Sequence, residues 1–308
     1  MAKEHSGKLQ NSGLRADWRL FLIAGLSNSA GATVGNPMDV IKIRLQLDNE
    51  LSSQRGLKKK YYGMMRGMRI LVLEEGYMAI WKGWSAAILR EMSFSAIRMG
   101  AYEPIKYKLG GTDKAHTAMA IKVKAAAISG AIGAAIATPT DLVKVRLQAQ
   151  VSGTKARHSG CITAFRDIYA TGGLTALYTG CAPNILRAMA ATVGQLVAYD
   201  HTKHVLLNAN LMQEGLPLHI ISSTVAGFMN AAAASPIDIV KTRLMNQPEG
   251  KEKRYNSMID AWYKTIKAEG VWSIYKGFIP CWLRIGPHTM VTFAVFEQLR
   301  VLAGIEPV

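Results

Sequence analysis

The pattern Pro-x-Asp-x-x-Lys-x-Arg occurs three times in this chain: Pro37-Met38-Asp39-Val40-Ile41-Lys42-Ile43-Arg44, then Pro139 to Arg146, then Pro236 to Arg243. The copies are 102 and 97 residues apart, and the extra residues fall in a lysine-rich connection ahead of Tyr61. A repeat of this size means that each unit is one supersecondary motif and that the three pack on one another. A second series keeps the same period. Arg90, Arg187 and Arg284 are each 97 residues apart. Each interrupts a mostly apolar stretch: Trp84 to Lys106, Gly180 to Lys203 and Gly277 to Arg300. Between the two series, Glu75-Gly76 and Trp81-Lys82-Gly83 return as Gly172-Gly173 and Tyr178-Thr179-Gly180, then as Glu269-Gly270 and Tyr275-Lys276-Gly277.

Hydropathy assigns these units to a membrane segment by segment, since a mean hydropathy of +0.09 does not do so for the chain as a whole. Leu20 to Met38 and Gly215 to Ile237 contain no Asp, Glu, Lys or Arg, and Ala125 to Thr140 is a shorter uncharged run. About 20 apolar residues span a bilayer as a helix. Small residues such as those of Ser129-Gly130-Ala131 let such helices approach closely. The buried helix of a soluble protein would read the same way. The arginines of the second series are costly in lipid unless they face water or a partner, so they point to a shared polar interior.

Composition excludes several classes. Cys161, Cys181 and Cys281 are an odd count without metal spacing, which argues against a disulfide framework. The net charge of +16 suits an anionic lipid or solute. Nucleic acid would need a basic stripe with stacking aromatics or a known module, and neither is present. No phosphate loop, zinc helix or nucleophile elbow occurs. His201 and His204 are three apart on a helix without a third ligand nearby, so they read as a solvated helix end. The N-terminus lacks the apolar core of a secretory signal and is too short and weakly amphipathic for a transit peptide.

The triplicated motifs, with aromatic-acid-x-x-base series at Tyr102-Glu103-Pro104-Ile105-Lys106, Tyr199 to Lys203 and Phe296 to Arg300, resemble the mitochondrial carrier family from about Trp18 to Leu302. The resemblance implies an all-α membrane protein of six transmembrane helices. They form three tandem helix-pair repeats in three-fold pseudosymmetry around a water-filled cavity, with three short matrix helices. The expected division is a tail over 1–17 and repeats over 18–110, 111–208 and 209–308. Both termini are expected outside the matrix of the mitochondrial inner membrane.

Within each proline motif the acid and the base are three residues apart, hence on one helix face. The family arrangement pairs Asp39 with Lys144, Asp141 with Lys241 and Asp238 with Lys42 as a matrix gate. Gln46 and Gln148 resemble the family's glutamine braces, and Met245 fills the third such position. Glu103 with Lys203, Asp200 with Arg300 and Glu297 with Lys106 would close the cytoplasmic end. As partly hydrated pairs these are worth about 0–1 kcal/mol each, weak enough to open. Gly172 and Thr179 depart from the family, which usually has an acid and a base there.

The resemblance also implies that Arg90, Arg187 and Arg284 contact substrate, with Arg98 two turns beyond Arg90. Thr192 and Gln195 are expected near the face of Arg187 as neutral hydrogen-bonding groups. Four arginines suit a small anion with two carboxylates, because guanidinium binds carboxylate bidentately. Glu91 is expected to point away from Arg90, with no acid at that depth on the other two helices. His288 reads as a helix-packing residue or as a donor to substrate. The implied function is antiport of malate, succinate, oxaloacetate, 2-oxoglutarate or phosphate by a monomer without enzymatic activity, cofactor, metal or nucleic acid. Membrane lipid is the other expected partner, with cardiolipin at the matrix-side helix termini. The rival is an uncoupling protein, a proton conductor regulated by purine nucleotides, whose family pattern has an acid where this chain has Gln195.

Overall fold

The computed structural model describes residues 18–48, 50, 61, 63–111, 118–150, 160–209, 213, 215–248 and 253–304. The tail over 1–17 and the lysine-rich stretch over 51–60 lie outside them. Among the described residues there is no strand, and the helices follow the repeat. The odd long helices are α1 (Trp18–Leu47), α4 (Met119–Ala149) and α7 (Leu216–Asn246). The even ones are α3 (Trp84–Lys108), α6 (Cys181–Asn208) and α9 (Phe278–Leu302). Between them run the shorter α2 (Met64–Glu75), α5 (Cys161–Leu177) and α8 (Met258–Glu269). At 1.5 Å per residue, a 30-residue helix such as α1 reaches about 45 Å, more than a hydrocarbon core needs. By length and composition alone, two helices among the described residues qualify as spans, Met119–Ala149 and Pro217–Asn246.

The six long helices form a closed ring, packing in the order α1, α3, α4, α6, α7, α9 and back to α1. Within the third repeat α7 and α9 touch less than the equivalent pairs do. There, bulky rings fill the space between helices: Phe228 stands edge-on to Phe278 and Trp282, with centroids 5.3 and 5.8 Å apart.

The ring is apolar outside and charged inside. Ile128, Ile132 and Ile136, one turn apart on α4, are all exposed, as are Leu22 and Leu26 on α1. By contrast Asp39, Asp141, Lys144, Asp238 and Lys241 are buried. A soluble bundle would show the reverse, whereas lipid supplies the solvent that such an outer face requires.

Prolines 37, 139 and 236 all lie inside helices. A proline removes a helical N–H, so the neighbouring polar groups matter. Asn36 Nδ2 donates to the Ile80 carbonyl at 2.9 Å, and Asn184 Nδ2 donates to Ala134 O at 2.9 Å and Thr138 Oγ1 at 3.1 Å. The first bond ties α1 to the segment ahead of α3, and the other two tie α6 to α4, each close to a proline.

The glycine ahead of each even helix has a specific task. Gly83, Gly180 and Gly277 are left-handed, with φ of 71°, 81° and 84°. A Cβ on Gly83 would meet Gln148 Cγ at 2.8 Å, one on Gly180 would meet Met245 Cγ at 2.8 Å, and one on Gly277 would meet Lys42 Cγ at 3.2 Å. The start of every even helix is therefore pressed against the end of the next repeat's odd helix, at the end where the proline motifs converge.

Candidate functional site

The proline motifs bring six charged side chains to one end of the ring, each pair bridging two repeats. Lys144 Nζ lies 2.7 Å from Asp39 Oδ2, Lys241 Nζ 3.2 Å from Asp141 Oδ2, and Lys42 Nζ 2.5 Å from Asp238 Oδ2. The aspartate side chains are only 4–10% exposed. The carboxylates of these pairs are buried, while their cations keep a small exposure to the cavity. Removing one partner from such a pair costs about 3–5 kcal/mol, well above the surface-pair figure.

The second series arrives at the same aspartates from above. Arg90 Nε lies 3.1 Å from Asp141 Oδ1, Arg284 Nε 3.1 Å from Asp39 Oδ1, and Arg187 pairs with Asp238 Oδ1. Each aspartate thus gives one oxygen to a lysine of the next odd helix and the other to an arginine of an even helix. Together these groups line a small polar cavity that opens to solvent.

The expectation of no acid at that depth concerned the even helices; the acids that the arginines meet come instead from the odd ones. Contrary to expectation, Glu91 does not point away: it accepts a hydrogen bond from Arg90 Nη1 and is 6% exposed. Neighbouring helix positions diverge by about 100°, but two long side chains that both turn toward a polar interior close that gap. Arg90 also stacks over Phe94, 4.9 Å from the ring centroid, and Arg98 lies 6.0 Å from the same ring. Arg98 makes no ion pair among the described residues.

The remaining expected site residues are placed less centrally. Thr192 is buried, donates to the Ala188 carbonyl at 2.8 Å and packs near Gly130 of α4. Gln195 Oε1 accepts from Asn230 Nδ2 at 3.2 Å, across the α6–α7 boundary. His288 lies against Gly31 and Gly35 of α1, and no group among the described residues reaches its Nε2. Gln46 Oε1 accepts from Thr242 at 2.8 Å, and Gln148 donates to Asn36 Oδ1 at 2.9 Å. Met245 is fully buried in the third position.

Below the gate lies a cross-link that sequence reasoning missed. Arg44 forks onto Glu75 at 2.8 and 3.0 Å and reaches the Gln148 carbonyl of the next repeat at 2.9 Å. Lys82 joins Glu75 at 2.7 Å and the Gln150 carbonyl at 3.1 Å. Arg243, Glu269 and Lys276 build the same cluster against the carbonyls of Gln46 and Asp48. In the second repeat Gly172 and Thr179 supply neither carboxylate nor ammonium, and Arg146 Nε bonds the Met245 carbonyl at 3.1 Å. The available signal was the last arginine of the motif, which recurs in all three copies. At the same end Tyr255 donates to Glu50 at 2.9 Å, and burial, with the neighbouring carboxylate, pushes its phenol up from the ordinary value.

The other end differs. Lys106 bonds Glu103 at 2.7 Å and Arg300 meets Glu297 at 3.5 Å, each within its own helix, while His204 is 3.6 Å from Asp200. The expected bridges of Glu103 with Lys203, Asp200 with Arg300 and Glu297 with Lys106 are not made. Among the described residues the expected inter-repeat pairs are made at the proline-motif end and not at the other.

A family model described as "Mitochondrial carrier protein" matches residues 16–112, 116–210 and 213–305. The chain belongs to the mitochondrial carrier family. It is 42% identical to the mitochondrial substrate carrier family protein ucpB of Dictyostelium discoideum, over 94% of this chain and 97% of that protein. It is 35% identical to a Dictyostelium discoideum protein named "Probable mitochondrial 2-oxoglutarate/malate carrier protein" (92% and 89% covered), and 34% identical to mitochondrial uncoupling protein 3 of Arabidopsis thaliana (92% and 94%). The carrier is therefore a transporter and not an enzyme. In the family's terms the proline-motif end is the matrix end.

Proposed function

We propose that this carrier exchanges small dicarboxylates and oxo-acids across the mitochondrial inner membrane by alternating access. The reading rests on one observation: each gate aspartate is shared between a lysine and a cavity arginine. Guanidiniums already aimed at carboxylates can take the carboxylates of a solute instead, two bonds at a time. When a dianion takes an arginine, the aspartate beneath loses one of its two cations. Substrate binding thereby weakens the matrix gate, and pairing of Glu103, Asp200 and Glu297 with the bases of the next repeats stabilises the opposite state. Binding near the midplane between two gates is the general logic of secondary transport.

Malate, succinate, oxaloacetate, 2-oxoglutarate and phosphate fit this chemistry, and the relative named for 2-oxoglutarate and malate supports it. Arg98, Thr192 and Gln195 belong to the same proposed site as lesser contacts. Cardiolipin at the matrix-side helix termini is the proposed lipid partner. The relative named as an uncoupling protein motivates a second reading, proton conduction under nucleotide control. Against it stands Gln195, an amide that cannot titrate.

The experiment is labelled malate uptake into proteoliposomes loaded with each candidate solute, with proton flux measured in the same preparation. Exchange with little proton leak is expected. Arg284→Ala should abolish exchange and Arg284→Lys should restore only part, since ammonium lacks the fork. Wild-type uptake by a correctly inserted Arg284→Ala carrier would sink the site. Fatty-acid-stimulated proton flux without dicarboxylate exchange would establish the uncoupling reading instead.

A further inference from the structure

Glu91 is an acid in the arginine layer that the gate does not use. Its side chain is 8% exposed, and among the described residues its hydrogen-bond partner is Arg90. The charged and titratable groups facing it from other helices are Lys144 on α4 and Arg284 and His288 on α9, with Arg98 further along α3. Lys144 and Arg284 are bound to Asp39, at 2.7 and 3.1 Å, and act on Glu91 only through space. Arg90 divides its donors between Glu91 and Asp141. Asp141 also holds Lys241 at 3.2 Å and so keeps a cation if Arg90 leaves. Among the described residues Glu91 is in contact with no second cation.

We propose that Glu91 binds one proton when a dicarboxylate claims Arg90, so that each dianion crosses the membrane together with a proton. The inference rests on the dicarboxylate reading above. A carboxylate of the solute and Glu91 compete for one guanidinium, and two carboxylates at one site do not both stay ionised. A buried charge stripped of its partner is costly, and neutralising it is the cheaper outcome. The proton comes from cavity water and goes to a Glu91 oxygen. Neutral Glu91 then carries an O–H that can donate to the solute carboxylate that displaced it. When the solute leaves, Arg90 returns to Glu91 and the proton is released on that side. Exchange of one dicarboxylate for another moves a proton each way and leaves no net flux. Exchange against a monoanion that leaves Arg90 on Glu91 would carry one proton with the dianion.

The test is calorimetric titration of malate into the full-length, detergent-solubilised carrier in two buffers of different ionisation enthalpy. The difference between them counts protons taken up per malate bound. Wild type should take up close to one near neutral pH, Glu91→Gln none, and Glu91→Asp, which keeps a carboxyl group, a measurable fraction. A second measurement is the pH profile of malate exchange in proteoliposomes between about pH 5.5 and 8.5, the range in which crowded carboxylates titrate. The wild-type rate should fall as pH rises, and the Glu91→Gln profile should be flat whatever its absolute rate. Equal proton uptake by wild type and Glu91→Gln, with malate bound by both, would overturn the role of Glu91 and leave the dicarboxylate reading standing. Failure of the wild type to bind or exchange any dicarboxylate would overturn both.

Discussion

Asp238→Asn is the sharpest perturbation of the matrix gate, because one carboxylate there holds two cations from two different repeats. Lys42 and Arg187 both lose their partner, and their side chains are 12% and 20% exposed. Removing one partner of a buried pair costs about 3–5 kcal/mol. Both cations retain some access to cavity water, so the lower figure applies, about 3 kcal/mol. The loss falls on the matrix-closed state, the one in which the pairs exist. That is a shift of about 150-fold in the equilibrium between closed and open matrix ends. In thermal unfolding of the solubilised carrier it should appear as a drop of about 6–12 °C, at about 2–4 °C per kcal/mol. Cys281 offers an independent reporter. It is 4% exposed, with Sγ 3.4 Å from Lys42 Nζ, so its alkylation measures opening of the gate and should accelerate. Adding Lys42→Met removes one orphaned cation and should return about 1–2 kcal/mol, within the usual range of coupling between contacting residues. The control is Asp260→Asn on exposed α8. A melting shift in Asp238→Asn no larger than in that control, with unchanged Cys281 labelling, would refute the claim that these pairs hold the matrix end shut.

Gly180→Ala should destabilise the carrier by about 1–2 kcal/mol, since φ of 81° is strained for alanine and the new methyl meets Met245; thermal unfolding measures it. Arg243→Met should cost about 3 kcal/mol, because the fully buried guanidinium holds Glu269, Thr265 and the Gln46 carbonyl together, and the same melt reads it. Ser257→Ala should remove the bond from Asp260 N to Ser257 Oγ and fray α8 by about 1 kcal/mol, seen as faster amide exchange confined to that helix. Hydrogen bonds from Lys264 and the Asn256 amide hold Asp260 below the usual carboxylate range. Its contribution is therefore present above the unfolded value of about 3.9 and lost as pH falls through the lower folded value, so α8 protection factors, corrected for intrinsic exchange, should not change between about pH 7 and 5.

Much of this architecture was legible in the chain because repetition and hydropathy are local properties. The recurrence of Pro37, Pro139 and Pro236 at nearly equal intervals implied three like units, and the arginine-bearing apolar stretches implied their second helices. Aspartate and lysine three apart must share a helix face whatever the rest of the fold does. Given a ring, the acid of one repeat then has the base of a neighbour within reach, and the family resemblance named which partner Asp39, Asp141 and Asp238 would each take. Gly83, Gly180 and Gly277 were visible as letters, but the approach they permit was not.

What only the tertiary structure decided concerns distances between helices that are far apart in sequence. Identical reasoning paired charges at both ends of the ring, yet among the described residues the proposed partners meet across repeats at one end alone. The reach of Arg90, Arg187 and Arg284 down to the gate aspartates depends on the depth at which α3, α6 and α9 enter the ring, and no periodicity encodes that depth. Glu91 makes the same point. Helical spacing turned it away from Arg90, but in the folded ring the Arg90 guanidinium reaches its carboxylate.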